Sequence, residues 1–403
     1  MAALLLALAI LSLVAVGIGG GHNVTISILD LAVAKGAVCL DGTPPAYAYS
    51  PGFGDGIDNW HVYLQGGGWC PSTGSCLGRS TIPLGSSAKL ISSNNGTQFF
   101  TGMLDNNSTL NPDFYDWHVF RIFYCDGSSF MSDVEDVHNL TYRGARIYDA
   151  MMDELLRIGM GNAKNALLSG TSAGGLATIL HCDKFQALFH NTTRVKCLSD
   201  SGFFVHGEHF MGADWRETFF FGVVSAHGLM NTLPTSCTSK FSPTLCLFPE
   251  NLVQDIKTPL FLIESAFDSY QIGQNVFSPS DKSPRWANCT HNLIFCNWTE
   301  IKIMKDFRNT FINTLKSTIT DSSGYFIHSC YRHGHMEDIQ GSTCSSLVGN
   351  NLANKTISQA VGDWYFDRSG FQEMDMLNDL PRNCTTTDDE ATFEKKCSDY
   401  YMP

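Results

Sequence analysis

The chain has 403 residues, 43% hydrophobic, 12% aromatic and 16% charged, which suits one large core or two modest domains and excludes a disordered chain or a coiled coil. With 26 Lys and Arg against 39 Asp and Glu, the formal charge is −13, the wrong sign for a protein that binds nucleic-acid phosphates or anionic lipid by neutralising them. The 36 Gly and 14 Pro follow no period, so collagen-like and low-complexity readings fail.

Residues 1–20 are an apolar run closed by small residues and predict a secretory signal peptide, although no Lys or Arg precedes the run. The alternative, an uncleaved anchor, needs a span of about 20 apolar residues, for which the run is short. No later stretch has the length and hydropathy of a membrane helix. The cysteines, an even 14 with no Cys-x-x-Cys pair, fit an oxidising compartment better than a zinc ribbon. Short-loop spacing suggests the pairs Cys70 with Cys76, Cys237 with Cys246 and Cys289 with Cys296. Asn-x-Ser/Thr acceptors begin at Asn23, Asn95, Asn106, Asn107, Asn139, Asn191, Asn288, Asn297, Asn354 and Asn383, a density expected of a secreted glycoprotein.

Between the leader and an acidic, Thr-rich stretch at 385–390 there is no linker, repeat or charge block, which predicts one catalytic domain over 25–380 and a tail over 381–403. In chain order, buried strands are expected at 61–64, 119–123, 166–168, 260–263 and 325–327, each short and apolar. Between the second and third, Ile147, Met151, Leu155 and Ile158 recur at helical spacing within 142–160, and another helix is expected from Ala173. Strand, helix, strand, helix describes a mostly parallel sheet wrapped by helices, with chemistry beyond the carboxyl ends of its strands.

Those strand ends carry suitable residues. After 61–64 comes Gln65-Gly66-Gly67-Gly68-Trp69-Cys70, a glycine run that can present N–H donors to an oxyanion. No Gly-Lys-Ser/Thr follows it, as a phosphate loop would require. After 166–168 comes Gly170-Thr171-Ser172-Ala173-Gly174, a Gly-x-Ser-x-Gly pattern whose small neighbours let the chain turn sharply and expose the Ser172 hydroxyl. The plainer reading is a Gly-rich turn with a capping serine. For a nucleophilic Ser172, the amides of Gly68, Trp69 and Ala173 are the expected oxyanion donors. An orienting acid and a base should come later: Asp268 follows 260–263, and the segment after 325–327 offers His328, His333 and His335, among which spacing does not choose. His328 is on or near the strand, where a packed histidine is ordinary. His333 and His335, with Glu337 or Asp338, also match a zinc-ligand set, which no His-Glu-x-x-His helix or cysteine cluster supports.

Further blocks are Leu84-Gly85-Ser86-Ser87, Tyr124-Cys125-Asp126-Gly127-Ser128-Ser129-Phe130, Lys196-Cys197-Leu198-Ser199-Asp200 and Ala360-Val361-Gly362-Asp363-Trp364-Tyr365. With these and the two glycine motifs in one order over nearly all the mature chain, the sequence resembles the plant pectin acetylesterases and, more remotely, the animal Notum-type palmitoleoyl-protein carboxylesterases. The resemblance implies an α/β, α/β-hydrolase-like fold with a mostly parallel central sheet flanked by helices and stabilised by disulfides. It puts the triad on Ser172, Asp268 and His333, the last by the match of 326–333 to the family's histidine segment. Departures from the family pattern are His328 for Asn, Tyr331-Arg332 for Phe-Ala, Gly334 for Cys, Thr171 where many plant members have Cys, and changes around Asn383-Cys384.

The function so implied is a secreted, monomeric serine esterase of the cell wall that removes O-acetyl groups from pectic polysaccharide, with no cofactor or metal, no nucleic-acid partner and no stable membrane association. A Notum-like long-chain acyl esterase is the alternative, and a catalytically silent hydrolase fold the third reading. The charge of −13 requires either local Lys or Arg at the substrate groove or a pectin whose carboxylates are methyl-esterified. Acetyl specificity implies a shallow acyl pocket, for which Trp69 and Tyr270 are candidate walls.

Overall fold

A computed structural model describes residues 20–137, 139–320, 323–338 and 355–384. The leader up to residue 19, Asn354, Cys344, Cys397 and the acidic stretch at 385–390 lie outside them. The strands in chain order are β1 (His22–Ile28), β2 (Ala46–Ser50), β3 (Asn59–Leu64), β4 (Thr97–Phe100), β5 (His118–Ile122), β6 (Val134–Val137), β7 (Leu140–Tyr142), β8 (Asn165–Thr171), β9 (Arg194–Asp200), β10 (Leu260–Ser265), β11 (Gly324–His328) and β12 (Gln372–Met374). Ten of them form one sheet in the order β12-β11-β10-β9-β8-β3-β5-β2-β1-β4, and β6 pairs with β7 separately. Neighbours from β12 to β5 run parallel; β2, β1 and β4 extend the sheet antiparallel.

All five expected strands fall within this sheet. The reason is burial on both faces: every residue of β10 (Leu260-Phe261-Leu262-Ile263-Glu264-Ser265) is buried, and a strand covered on both sides reads as an unbroken apolar run. The two-residue period then sorts the side chains. Val62, Leu64, Leu168 and Leu262 enter one core, while Tyr63, Leu167, Phe261 and Ile263 enter the other. The first core is roofed by the helices Gly144–Arg157, Ala173–Gln186 and Trp298–Thr318, the second by Ile357–Tyr365. Helix Gly144–Arg157 buries Ile147, Met151 and Leu155 as its spacing predicts and ends at Ile158.

Six disulfides join the described cysteines: Cys39–Cys125, Cys70–Cys76, Cys182–Cys197, Cys237–Cys246, Cys289–Cys296 and Cys330–Cys384. The three short-loop pairs expected from spacing are among them. No helix among the described residues is long and apolar enough to cross a membrane.

Candidate active site

The turn from β8 into helix Ala173–Gln186 is made by Ser172 itself, at φ 61° and ψ −124°. A non-glycine residue held there is strained and needs its surroundings to enforce the turn. Two glycines allow it. A Cβ on Gly174 would lie 2.1 Å from the Leu64 oxygen, and one on Gly66 would lie 2.1 Å from the Thr171 oxygen. The serine turn and the glycine-rich loop after β3 are therefore packed backbone to backbone, with Ser172 at the amino end of a helix, where N–H dipoles favour negative charge.

Residues with no assigned role in the sequence fix that loop from behind. Arg79 Nη1 donates to the Gly67 oxygen at 2.8 Å and Nε to the Leu84 oxygen at 3.0 Å. The Tyr124 hydroxyl donates to the Gly68 oxygen at 2.9 Å and accepts from Ser129 N at 2.9 Å. In a planar trans peptide the carbonyl and the next N–H point in opposite directions. Anchoring the oxygens of Gly67 and Gly68 therefore aims the N–H groups of Gly68 and Trp69 the other way. Trp69 Nε1 donates to Ser129 Oγ, which donates to the Ala173 oxygen, each at 2.8 Å, locking the loop to the helix that follows Ser172. The N–H groups of Gly68, Trp69 and Ala173 have no acceptor among the described residues. The block 124–130, recognisable in the sequence only as a family motif, is thus the support of the glycine loop.

Asp268 lies just past β10, fully buried. Its Oδ1 accepts from Gln271 N at 2.7 Å, and its Oδ2 accepts from His333 Nδ1 at 2.6 Å. Ser265 Oγ donates to the Cys330 oxygen and Ser269 N to the Arg332 oxygen, which ties the loop after β10 to the loop after β11. A carboxylate only accepts, so the His333 proton sits on Nδ1 and Nε2 is bare. That Nε2 is buried and has no hydrogen-bond partner, Ser172 included. Burial pushes the His333 ring toward the neutral form, but the Asp268 carboxylate and its hydrogen bond, with Asp200 adding, raise its pKa above the usual imidazole value. Gly334, next to His333, comes close to Thr171, next to Ser172: a Cβ on Gly334 would lie 3.2 Å from Thr171 Cγ2.

The other two histidines are placed differently. His335 Nδ1 bonds Asp200 Oδ1 at 2.6 Å and its Nε2 bonds His328 Nε2 at 2.7 Å. Glu337 engages Arg121 and Tyr63, and Asp338 engages Arg332. The zinc-ligand set is therefore not assembled, since His333 and His335 face different aspartates and the acids are committed elsewhere. The two Cys-containing clusters with metal-like spacing, Cys70-Cys76-His227 and Cys289-Cys296-Glu300, have their sulfurs in disulfides. Glu264, also unassigned from sequence, accepts from the Gly202 and Phe203 amides; burial first, and the Asp268 charge second, push its carboxyl well above the usual range.

Beside the glycine loop stands an aromatic wall. Trp69 meets Phe204 at 4.9 Å and Phe220 at 5.1 Å between ring centroids, Phe220 meets Phe248 at 4.8 Å, and Tyr270 stacks on His333 at 5.1 Å. The space left among Phe204, Phe219, Phe220 and Phe248 is about 10 Å³. Elsewhere Phe210, Trp215 and Phe277 line an open cleft of about 450 Å³ whose other walls include Glu208, Asp214 and Asp281 and no Lys or Arg.

Comparison with known proteins identifies the framework. A family model described as Pectinacetylesterase matches residues 20–387. Pectin acetylesterase 7 of Arabidopsis thaliana is 44% identical over 91% of this chain and 93% of its own, and pectin acetylesterase 11 of the same plant is 42% identical over 93% and 94%. The structure of the Wnt deacylase Notum from Drosophila superposes with a TM-score of 0.72, covering 91% of this chain and 100% of that one at 19% identity, a likeness of fold that makes this chain α/β-hydrolase-like. With a family match that runs through every element of the site, the chain belongs to the pectin acetylesterase family of carboxylic ester hydrolases.

Proposed function

We propose that the protein is a secreted serine esterase that removes O-acetyl groups from pectic polysaccharide of the cell wall. The observation that carries the chemistry is the Asp268–His333 pair with its bare Nε2, on the loop that packs against the Ser172 turn. Ser172 Oγ attacks the acetyl carbonyl while His333 Nε2 takes its proton; the amides of Gly68, Trp69 and Ala173 hold the oxyanion. Collapse expels the sugar hydroxyl, reprotonated by His333, and leaves acetyl-Ser172. Water then attacks with His333 as base and acetate departs. Asp268 holds the ring in the tautomer that leaves Nε2 free and favours the imidazolium formed in each half-reaction.

Acetate rather than a long chain as the acyl group is supported by the family match and by relatives named pectin acetylesterase over most of the chain. A charge of −13 is reconciled with pectin either by Lys and Arg at the substrate groove or by methyl-esterified carboxylates on the substrate. Residues 1–20 are proposed as a cleaved signal peptide, 25–380 as one catalytic domain and 381–403 as a tail. Eight of the sequon asparagines, Asn23, Asn95, Asn106, Asn107, Asn139, Asn191, Asn288 and Asn383, are exposed, as glycan carriers must be. The test is acetate release from acetylated pectin, with acetylated xylan and a palmitoleoylated peptide in parallel, and initial rates on p-nitrophenyl acetate, butyrate and octanoate. Acetate from pectin and a steep fall with chain length are expected. Octanoate cleaved faster than acetate, with no acetate from pectin, would overturn the reading.

A further inference from the structure

We propose that Asp200 is a positioning residue of this site, a single buried carboxylate that holds the nucleophile turn and the base-bearing loop against each other. The inference rests on the reading of Ser172 and His333 as nucleophile and base. Asp200 ends β9, next to the end of β8. From the serine turn, Ser172 N donates to its backbone oxygen and Thr171 Oγ1 to its Oδ2, each at 2.8 Å. From the other loop, Oδ2 also accepts His335 N at 2.7 Å and Met336 N at 2.9 Å. Ser201 Oγ donates to Oδ1 at 3.2 Å and itself accepts from Gly334 N at 2.9 Å. The three amides that follow His333 thus converge, directly or through one hydroxyl, on the carboxylate that also receives Thr171 Oγ1, while Ser172 N bonds the backbone oxygen of the same residue.

The orientation of that carboxylate is set by two imidazoles. The Cys330 N–H donates to His328 Nδ1 at 3.1 Å, so the His328 proton is on Nε2 and is donated to His335 Nε2. The His335 proton is then on Nδ1, facing Asp200 Oδ1. Every polar side-chain atom of Asp200, His335 and His328 has its partner, and the three residues are at most 1% exposed. Burial alone would raise the Asp200 pKa; the hydrogen bonds from His335 Nδ1 and the two amides instead hold it below the usual carboxylate range, so the carboxylate stays charged. The charged or titratable groups facing His333 are Asp268, Asp200 and Tyr270, and those facing His328 and His335 are Asp200, Arg332 and Arg382.

Asp200→Asn removes the charge and sets an amide NH₂ against donors. It is expected to lower kcat about 10²-fold with KM within about threefold, as misplacement of reacting groups does, and to move the acid limb of the kcat/KM profile to lower pH because the imidazolium loses a neighbouring charge. Active sites are counted by labelling Ser172 with a fluorophosphonate. A lowered melting point with kcat per labelled site and the acid limb both unchanged would mean a structural role only and would overturn the proposal. Should Asp200→Asn not fold, Thr171→Val deletes one of the converging bonds at equal shape: kcat falls about fivefold at constant KM and Thr171→Ser restores it. A folded Thr171→Val with wild-type kcat overturns the proposal equally. Failure of fluorophosphonate to label Ser172 in the wild-type chain is a separate result that removes the nucleophile assignment, and this inference with it.

Discussion

Two aspartate–histidine pairs lie side by side at the end of the sheet, Asp268 with His333 and Asp200 with His335, each closed by a 2.6 Å bond from Nδ1 to a buried carboxylate. Their chemistry differs through the other ring nitrogen. His335 Nε2 is occupied by His328, whereas His333 Nε2 has no partner. On the proposed reading the same pair of residue types is a clamp in one place and a base in the other, and what separates them is the occupancy of one atom about which the sequence says nothing. Spacing could not separate the two histidines because both flank Gly334.

The sharpest way to break this comparison is to remove the open ring. His333→Ala and Ser172→Ala should each lower turnover by about 10³-fold or more, because nucleophile and base act as a unit. Activity on p-nitrophenyl acetate, normalised to folded protein, checks it. A His333→Ala enzyme that remains active while His335→Ala is dead would exchange the two roles.

How far such roles can be read from sequence depends on what kind of partner a residue has. The strands at β3, β5, β8, β10 and β11 are legible because both faces are buried, which writes the structure directly into apolar runs. Strand β9 escapes that reading, since Arg194, Lys196, Ser199 and Asp200 interrupt its run. Lys196 is tolerated there because its ammonium reaches the Trp364 oxygen at 2.7 Å and Asp367 at 2.6 Å, letting the stem lie in the core. The Gly-x-Ser-x-Gly turn is legible because its geometry demands glycine. Arg79 and Tyr124 are not, because they act on backbone oxygens of Gly67 and Gly68, and any residue supplies a backbone oxygen. Asp200 is hidden for a third reason: its partners at Thr171, Ser172, His335 and Met336 are distant in sequence, and only the fold brings them to it.

Asp268→Asn sharpens the comparison by changing one carboxylate of the two. It should cost about 10²-fold or more in kcat by allowing the wrong tautomer of His333. The acid limb gives a second readout. In the wild type His333 must be neutral to act, and its raised pKa puts that limb above the ordinary imidazole value of about 6.5. Without the Asp268 charge the imidazolium is less stable, so the limb moves to lower pH. A kcat/KM profile with an unmoved limb would show that Asp268 does not act on His333.

Occupied or buried rings also differ from His333 in how they link stability to pH. Burial lowers the pKa of His61 and His181 to about 3 and of His227 to about 4. Below about 6.5 the unfolded chain binds protons that these folded rings refuse, so each takes about 1.4 kcal/mol of stability per pH unit until its folded value is reached. His333 has the opposite sign: its stabilisation is present below about 6.5 and is lost as pH rises through its raised value. Raised carboxyls share that sign: Asp126, held up to about 6 by burial, and Glu264, held well above the usual range, take up protons in the folded chain as pH falls from 6.5 to 5. The test is therefore a difference between variants: relative to the wild type, His227→Gln should lose less stability from pH 6.5 to pH 5, by one ring's share. Thermal midpoints of the two that keep a constant separation over this range would contradict the neutral burial of His227.

The smallest expected effect belongs to the atom that closes the second pair. In His328→Asn the amide oxygen can take over as acceptor for the Cys330 N–H, because the amide group of Asn occupies the position of the Nδ1 side of the imidazole. What disappears is the donor to His335 Nε2. His335 keeps its bond to Asp200, and the amides of His335 and Met336 keep theirs, so the register of the base-bearing loop is held by the carboxylate alone. A lost hydrogen bond in a buried network with an unpaired acceptor left behind destabilises by about 1–3 kcal/mol, and the melting temperature should drop accordingly. Turnover of the folded enzyme should stay within about threefold, since Asn is also the residue that the family resemblance places at this position and neither Ser172 nor His333 loses a partner. Stability and rate are thus expected to separate here, whereas at Asp200 they fall together. If His328→Asn instead lowered kcat as far as Asp200→Asn does, the orientation of the clamp would depend on the whole chain of rings rather than on the carboxylate, and the line between the two pairs would have to be redrawn to place His328 beside Asp200 as a positioning residue.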